Sequence, residues 1–177
     1  MAGTPTLVAL SGLPGVGKTA LARRLAPALA AVHLRVDTFE QALVANGATM
    51  RGIGPLGYVL AGAVAADNLR LGRSVVADSV NPVAESRDGW HRVARECGAR
   101  MLDVLVTCAD GAEHRRRVER RVADIPGHVL PTWDAVLALH YESWQGETLG
   151  VDTASGLEAA LAAVVARIPP HGAKSGG

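Results

Sequence analysis

The chain is poor in aromatics, cysteine and lysine, and it has no long apolar run. Three Trp, two Tyr and one Phe in 177 residues leave a core to be built from Ala, Val and Leu. Two cysteines, Cys97 and Cys108, form neither a disulfide framework nor a metal-ligand spacing, and read as buried structural thiols. No apolar stretch reaches the roughly 18 residues of a membrane span. The opening MAGTPTLVALSG lacks the basic region and cleavage pattern of a secretory signal, so none is expected. An excess of charge is missing too. Eighteen basic against 17 acidic side chains give a net charge of +1, which argues against bulk-charge binding to nucleic acid or an anionic membrane. The expectation is a small, soluble, cytoplasmic domain.

Apolar residues make up 49% and charged residues 20%, a globular composition. A chain of this length suits one domain and buries about two thirds of its unfolded surface without a staple. Residues 1–168 read as that domain and the Pro/Gly/Ser-rich 169–177 as a disordered tail. The only lysines are Lys18 and Lys174, and Lys174 lies in the tail. The body thus holds one lysine among 16 arginines, a choice that points to what an ammonium does and a guanidinium does not.

Short apolar runs alternate with helix-like stretches. The runs are Thr6–Ser11, His33–Asp37, Ser74–Asp78, Met101–Cys108 and Thr148–Asp152. Helical patterns cover Lys18–Ala30, Thr38–Asn46, Leu56–Leu71, Val83–Cys97, Ala112–Ala123, Thr132–Trp144 and Ser155–Ile168, with Gly47–Gly57 as a flexible loop. This alternation predicts an α/β fold, three-layer α/β/α, on five parallel strands. Ligands then bind beyond the carboxyl ends of the strands, where Gly12, Asp37, Asp78, Cys108 with Asp110, and Asp152 fall.

Gly12, Leu13, Pro14, Gly15, Val16, Gly17, Lys18 and Thr19 match the phosphate-loop pattern G-x-x-x-x-G-K-[ST] between a strand and a helix. Glycines let successive N–H groups point inward onto phosphate oxygens. The helix opening at Lys18, Thr19 and Ala20 adds its positive end. Lys18 reaches the β- and γ-phosphates and the Thr19 hydroxyl ligates Mg²⁺. ATP and Mg²⁺ are therefore the expected cofactors. A GTPase would need Asn-Lys-x-Asp, and the chain has no Asn-Lys pair. Motor ATPases need a strand ending in Asp-Glu and a further helical domain, and here the strand reads VVADS. The compact nucleotide and metabolite kinases remain.

GLPGVGKT, VDTFEQAL, GRSVVADSVNP, CADGAEHRRRVERR and VDTA carry a resemblance to the small P-loop kinases grouped with the AAA-family ATPases. In layout the chain is similar to chloramphenicol phosphotransferase, gluconate kinase and the zeta-toxin kinases over residues 6–168. The resemblance implies the P-loop NTPase fold with sheet order 2-3-1-4-5, an arginine-bearing lid, and ATP-dependent phosphorylation of a hydroxyl on a small molecule.

Asp37 is placed to accept the proton of the attacking hydroxyl, or to cap the next helix. Asp78 occupies the Walker B position beside Mg²⁺, or bonds to Ser79 and the Asn81-Pro82 turn. Asn81, Arg87 and Tyr58 are candidates for the acceptor pocket. Arg115, Arg116, Arg117, Arg120 and Arg121 crowd seven residues. In the resembling kinases, arginines one helical turn apart at this place contact nucleotide and neutralise the transferred group, and Arg117 with Arg121 match best. The alternative is a solvated face paired with Glu113 and Glu119. Ile125-Pro126-Gly127 marks a lid hinge. Asp152 lies where similar kinases hold the adenine ring, or caps the last helix. Trp133, His140, Tyr141 and Trp144 form a stripe that packs or closes over substrate. A polynucleotide-end kinase and a non-catalytic ATP-binding module are the competing readings, and monomer and homodimer both stay open.

Overall fold

A computed structural model describes residues 3–169; most of the expected tail, 170–177, lies outside the described residues. The elements in order are β1 (Thr6–Ser11), α1 (Lys18–Ala28), β2 (Val32–Arg35), α2 (Val36–Ala45), α3 (Met50–Ile53), α4 (Leu56–Arg70) and β3 (Val75–Asp78). There follow α5 (Ala84–Glu96), β4 (Arg100–Thr107), α6 (Gly111–Arg120), α7 (Trp133–Leu137), β5 (Leu149–Asp152) and α8 (Leu157–Val165). The strands form one parallel sheet of order β2-β3-β1-β4-β5, as expected.

β1 is central, with all six residues buried, because helices cover both faces. Successive side chains of a strand point to opposite faces. Val8 and Leu10 accordingly join Leu21 and Leu25 of α1 and Val164 of α8. Leu7 and Ala9 join Ala61, Ala65 and Leu69 of α4 and Trp90 of α5. The half-core under α1 and α8 is built from aliphatic side chains and Cys108, and the other gathers Trp90, Phe39 and Tyr58, which is how so few aromatics suffice. Among the described residues no helix is long and apolar enough to cross a membrane.

Four expectations need correction. β2 stops at Arg35, so Asp37 lies in the first turn of α2 rather than at the strand end. The helix after Thr132 covers only Trp133–Leu137. Farther on, the Glu142 amide donates to the Pro82 carbonyl at 2.8 Å. The Glu142 and Ser143 carbonyls accept from Arg87 at 2.6 and 3.0 Å. A tertiary partner thus takes the Glu142 amide that a helix would have used, and Arg87 holds the two carbonyls in place. α6 ends at Arg120, and Arg121 is already extended; Pro126 could not have continued the helix, and Asp124 instead meets Arg23 and Arg35. The 47–57 stretch is not all loop: α3 forms inside it, capped by the Thr49 hydroxyl, and buries Ile53.

Candidate active site

The phosphate loop leaves β1 and turns into α1 by way of positive-φ glycines. Gly12 has φ +140°, and a Cβ there would lie 2.2 Å from the Val106 carbonyl oxygen. Only glycine lets the loop pass so close to β4. At the loop's far end the Thr153 hydroxyl lies 2.6 Å from the Val16 carbonyl oxygen. His114 Nε2 lies 2.8 Å from the Pro14 carbonyl oxygen, with the Trp133 ring edge-on to His114 at 5.1 Å. Trp133 therefore braces the loop from α7.

Lys18 opens α1 and is buried. Its Nζ donates to the Gly12 and Leu13 carbonyls at 2.8 and 2.9 Å, which folds the ammonium into the cradle. Burial pulls its pKa down to about 8, against the opposing pull of Asp78 and Asp37. Asp78, the last residue of β3, is 2% exposed. Burial would raise its pKa, but the His33 hydrogen bond, the Lys18 charge and the Thr19 hydroxyl outweigh that and hold it below the ordinary value. His33 Nε2 lies 3.3 Å from Asp78 Oδ2.

Asp37 does not cap α2: the capping position is Arg35. Its carboxylate instead accepts from Arg35 Nε and Nη2 at 3.3 and 3.2 Å and stays partly exposed. A carboxylate in a helix's first turn is also favoured by the helix dipole.

A cleft of about 550 Å³ opens over this edge of the sheet. Lys18, Thr19, Ala20, Asp37 and Asp78 line its floor, with Pro14, Gly15 and Gly17. Arg117, Arg120 and Arg121 line its wall with Arg23, and Val122, Asp124, His128, Val129 and Pro131 its rim. Arg117 is held by Glu113 at 2.6 Å and by the Thr153 hydroxyl and carbonyl at 2.8 and 3.0 Å. Arg120 and Arg121 make no ion pair among the described residues, which leaves two guanidinium groups for a bound anion. Arg115 pairs with Glu119 at 2.7 Å and Arg116 with Glu113; neither lines the cleft.

Several candidates lie elsewhere. Asp152 is exposed, and its carboxylate accepts from the Ala109 and Ala154 amides at 2.9 and 3.1 Å, tying the β5 loop to the end of β4. Those bonds lower its pKa. Asn81 is fully buried, and its side chain bonds Ser79, Ser11, Leu10 and Trp90. The Arg87 guanidinium lies against Tyr141 and Trp144 and donates to backbone carbonyls of residues 81, 82, 142 and 143. Tyr58 takes the Asn81 amide on its hydroxyl, and burial pushes its pKa to about 12. None of these four lines the cleft. Of the aromatic stripe, Tyr141 and Trp144 pack around Arg87 and Trp133 packs on His114 under the loop, while His140 is exposed.

The sequence reading missed Arg23, His33, Arg35, Asp124, His128 and Thr153. Arg35 left a signal, an arginine in an otherwise apolar strand end two residues before Asp37. Thr153 stood only as a member of the VDTA motif and Asp124 left no signal, since their roles exist only across 137 and 89 residues of chain.

The donor set fits a magnesium nucleotide: a cradle too tight for a Cβ, a buried ammonium, and a hydroxyl beside a buried carboxylate. In overall structure the chain is similar to a candidate kinase from Chloroflexus aurantiacus, at 22% identity and TM-score 0.74 over 94% of this chain and 100% of that one. It is similar to the APS kinase CysC of Mycobacterium tuberculosis, solved with AMPPNP and APS, at 18% identity and TM-score 0.68 over 92% and 96%. A gluconokinase from Sinorhizobium meliloti 1021 aligns at 20% identity and TM-score 0.63 over 92% and 91%. The three share its fold, that of the P-loop NTPases. No curated protein matches the sequence. A family model does, over residues 7–140, and with the phosphate loop, Asp37 and Asp78 inside that span, the chain belongs to the AAA domain family.

Proposed function

We propose that the protein is a kinase that transfers the γ-phosphoryl group of ATP to a hydroxyl of a small molecule, a metabolite or an antibiotic, with Mg²⁺. The observation that carries this reading is convergence. Lys18, Thr19, Asp37, Asp78, Arg117, Arg120 and Arg121, from four elements and the turn after α6, line one cleft.

In this reading the loop amides and Lys18 take the β- and γ-phosphates, and Lys18 exchanges its two carbonyl partners for phosphate oxygens. Thr19 and Asp78 would hold Mg²⁺, which screens the charge between those phosphates. Asp37 accepts the proton of the acceptor hydroxyl as its oxygen attacks the γ-phosphorus and the bond to the β-phosphate oxygen breaks. Arg117, Arg120 and Arg121 neutralise the equatorial oxygens of the transferred group. Two of the three need break no ion pair to do so. The named activities of the similar APS kinase and gluconokinase are consistent with a small acceptor.

The test is ADP release from Mg-ATP against a panel of hydroxylated metabolites and antibiotics, with products weighed for an added phosphoryl group. Acceptor-dependent release should appear; Lys18→Ala should abolish it, and Asp37→Asn should leave only a small residual rate. Release that ignores every acceptor, or full activity in Lys18→Ala, would overturn the reading.

A further inference from the structure

Arg35 closes β2 as a buried cation, 7% exposed, beneath the cleft. Its guanidinium is divided between two carboxylates from distant parts of the chain. Nε and Nη2 donate to Asp37 Oδ2, and Nη1 donates to both oxygens of Asp124 at 2.9 and 3.0 Å. Arg23 of α1 grips the same Asp124 carboxylate from its other side. Asp124 belongs to the irregular segment 121–131 between α6 and α7, and that segment supplies much of the cleft's rim. One side chain therefore touches both the floor carboxylate and the rim.

We propose that Arg35 is a positioning residue, which orients Asp37 into the cleft and, through Asp124, makes that orientation depend on the docking of segment 121–131. The proposal rests on the reading of Asp37 as the base. A planar fork with five donors can serve two carboxylates in fixed directions, whereas an ammonium is a point charge and cannot. The two carboxylates also compete for one cation. When Asp37 loses its charge, Arg35 turns wholly to Asp124 and the segment is held more tightly. When Asp124 loses its charge, the segment is released and Arg35 turns to Asp37.

The coupling is read first without substrate, by trypsin nicking after Arg120 and Arg121 mapped by mass, with folding checked by thermal melting. Asp124→Asn and Arg35→Lys should each speed nicking about tenfold, the equivalent of one charge-assisted hydrogen bond. Asp37→Asn should slow it about threefold, as competing partners predict. Arg24→Gln, which removes an exposed ion pair to Glu158 at the other edge of α1, should change nothing. Equal nicking in Asp124→Asn and wild type, or no effect of Asp37→Asn, overturns the coupling.

Turnover gives the second reading. Arg35→Lys should lower kcat about tenfold with KM for ATP unchanged, and Asp124→Glu should restore most of what Asp124→Asn loses. In an Asp37→Asn background, Arg35→Lys should have no further effect on residual turnover. A further fall there would make Arg35 a structural residue only. If the wild type forms no ADP with any acceptor, the base reading falls and the positioning role with it, while the nicking result still decides whether Arg35 couples the two carboxylates.

Discussion

Arg117 is fastened to Thr153 twice, by Nη1 to the hydroxyl at 2.8 Å and by Nη2 to the carbonyl oxygen at 3.0 Å. The same hydroxyl lies 2.6 Å from the Val16 carbonyl oxygen, so the arginine wall and the phosphate loop share a single support.

Removing that support should weaken nucleotide binding. Thr153→Val keeps the shape but leaves the Val16 carbonyl and one Arg117 donor without a partner. The two lost bonds are together worth about 2 kcal/mol, so Kd for Mg-ATP should rise by up to about thirtyfold, and Thr153→Ser should restore it. Calorimetric titration gives both constants. Unchanged affinity in Thr153→Val would make the support irrelevant to binding.

Gly15 tests the loop's geometry. It has φ +85°, and a Cβ there would lie 2.5 Å from Val118 Cγ2. Gly15→Ala should therefore destabilise the protein by about 2 kcal/mol or more, from backbone strain plus overpacking. Adding Val118→Ala should recover only the packing part, because the strained φ remains. Chemical denaturation of the single and double variants separates the two contributions.

The Lys18 ammonium titrates at about 8 rather than 10.5 because burial disfavours its charge. The sign follows directly. Between about pH 8 and 10.5 the unfolded chain carries the extra proton, so this group's contribution to stability rises with pH across that window. Phosphate binding needs the charged form, so affinity runs the other way. Kd for Mg-ATP should be flat below pH 8 and rise toward tenfold per pH unit above it, with proton uptake visible by calorimetry in two buffers. A profile flat to pH 9.5 would contradict the lowered pKa.

Asn81 holds the ends of β1 and β3 together from a fully buried position at φ +50°. Trp90 Nε1 donates to its side-chain oxygen at 3.0 Å. Trp90→Phe should cost about 1–3 kcal/mol, since it removes a buried hydrogen bond and part of a core side chain. Affinity for Mg-ATP per folded molecule should stay the same, because neither residue lines the cleft. A shift in affinity would return Asn81 to the site.

The lid region shows where reading from sequence runs out. The arginine cluster is plain in the sequence, but all five members look alike there. Glu113 and Glu119 take Arg115 and Arg116 away from the cleft, while the turn at Arg121 brings Arg120 and Arg121 into it. Just beyond that turn Asp124 meets Arg23 and Arg35, contacts that no local pattern announces. Helix α5 teaches the same lesson. Its start at Ala84 falls within one residue of the Val83–Cys97 pattern, but the Glu142 carboxylate that caps its first amide lies 58 residues later in the chain, so the sequence shows the helix and not its cap.

Local physics was enough for the fold and for the heart of the candidate site. Apolar runs that alternate with helical periods define a sheet covered on both faces, and a glycine loop with one lysine between strand and helix defines a phosphate cradle, because these signals lie within a few consecutive residues. The sheet order and the lid came from the resemblance, not from the residues alone. Only the tertiary structure decided what Asp37, Asp152 and Arg87 touch, and that Arg35 and Thr153 bond to residues that line the cleft. A side chain's charge is written in the sequence, but which partner answers that charge is settled where distant segments pack together.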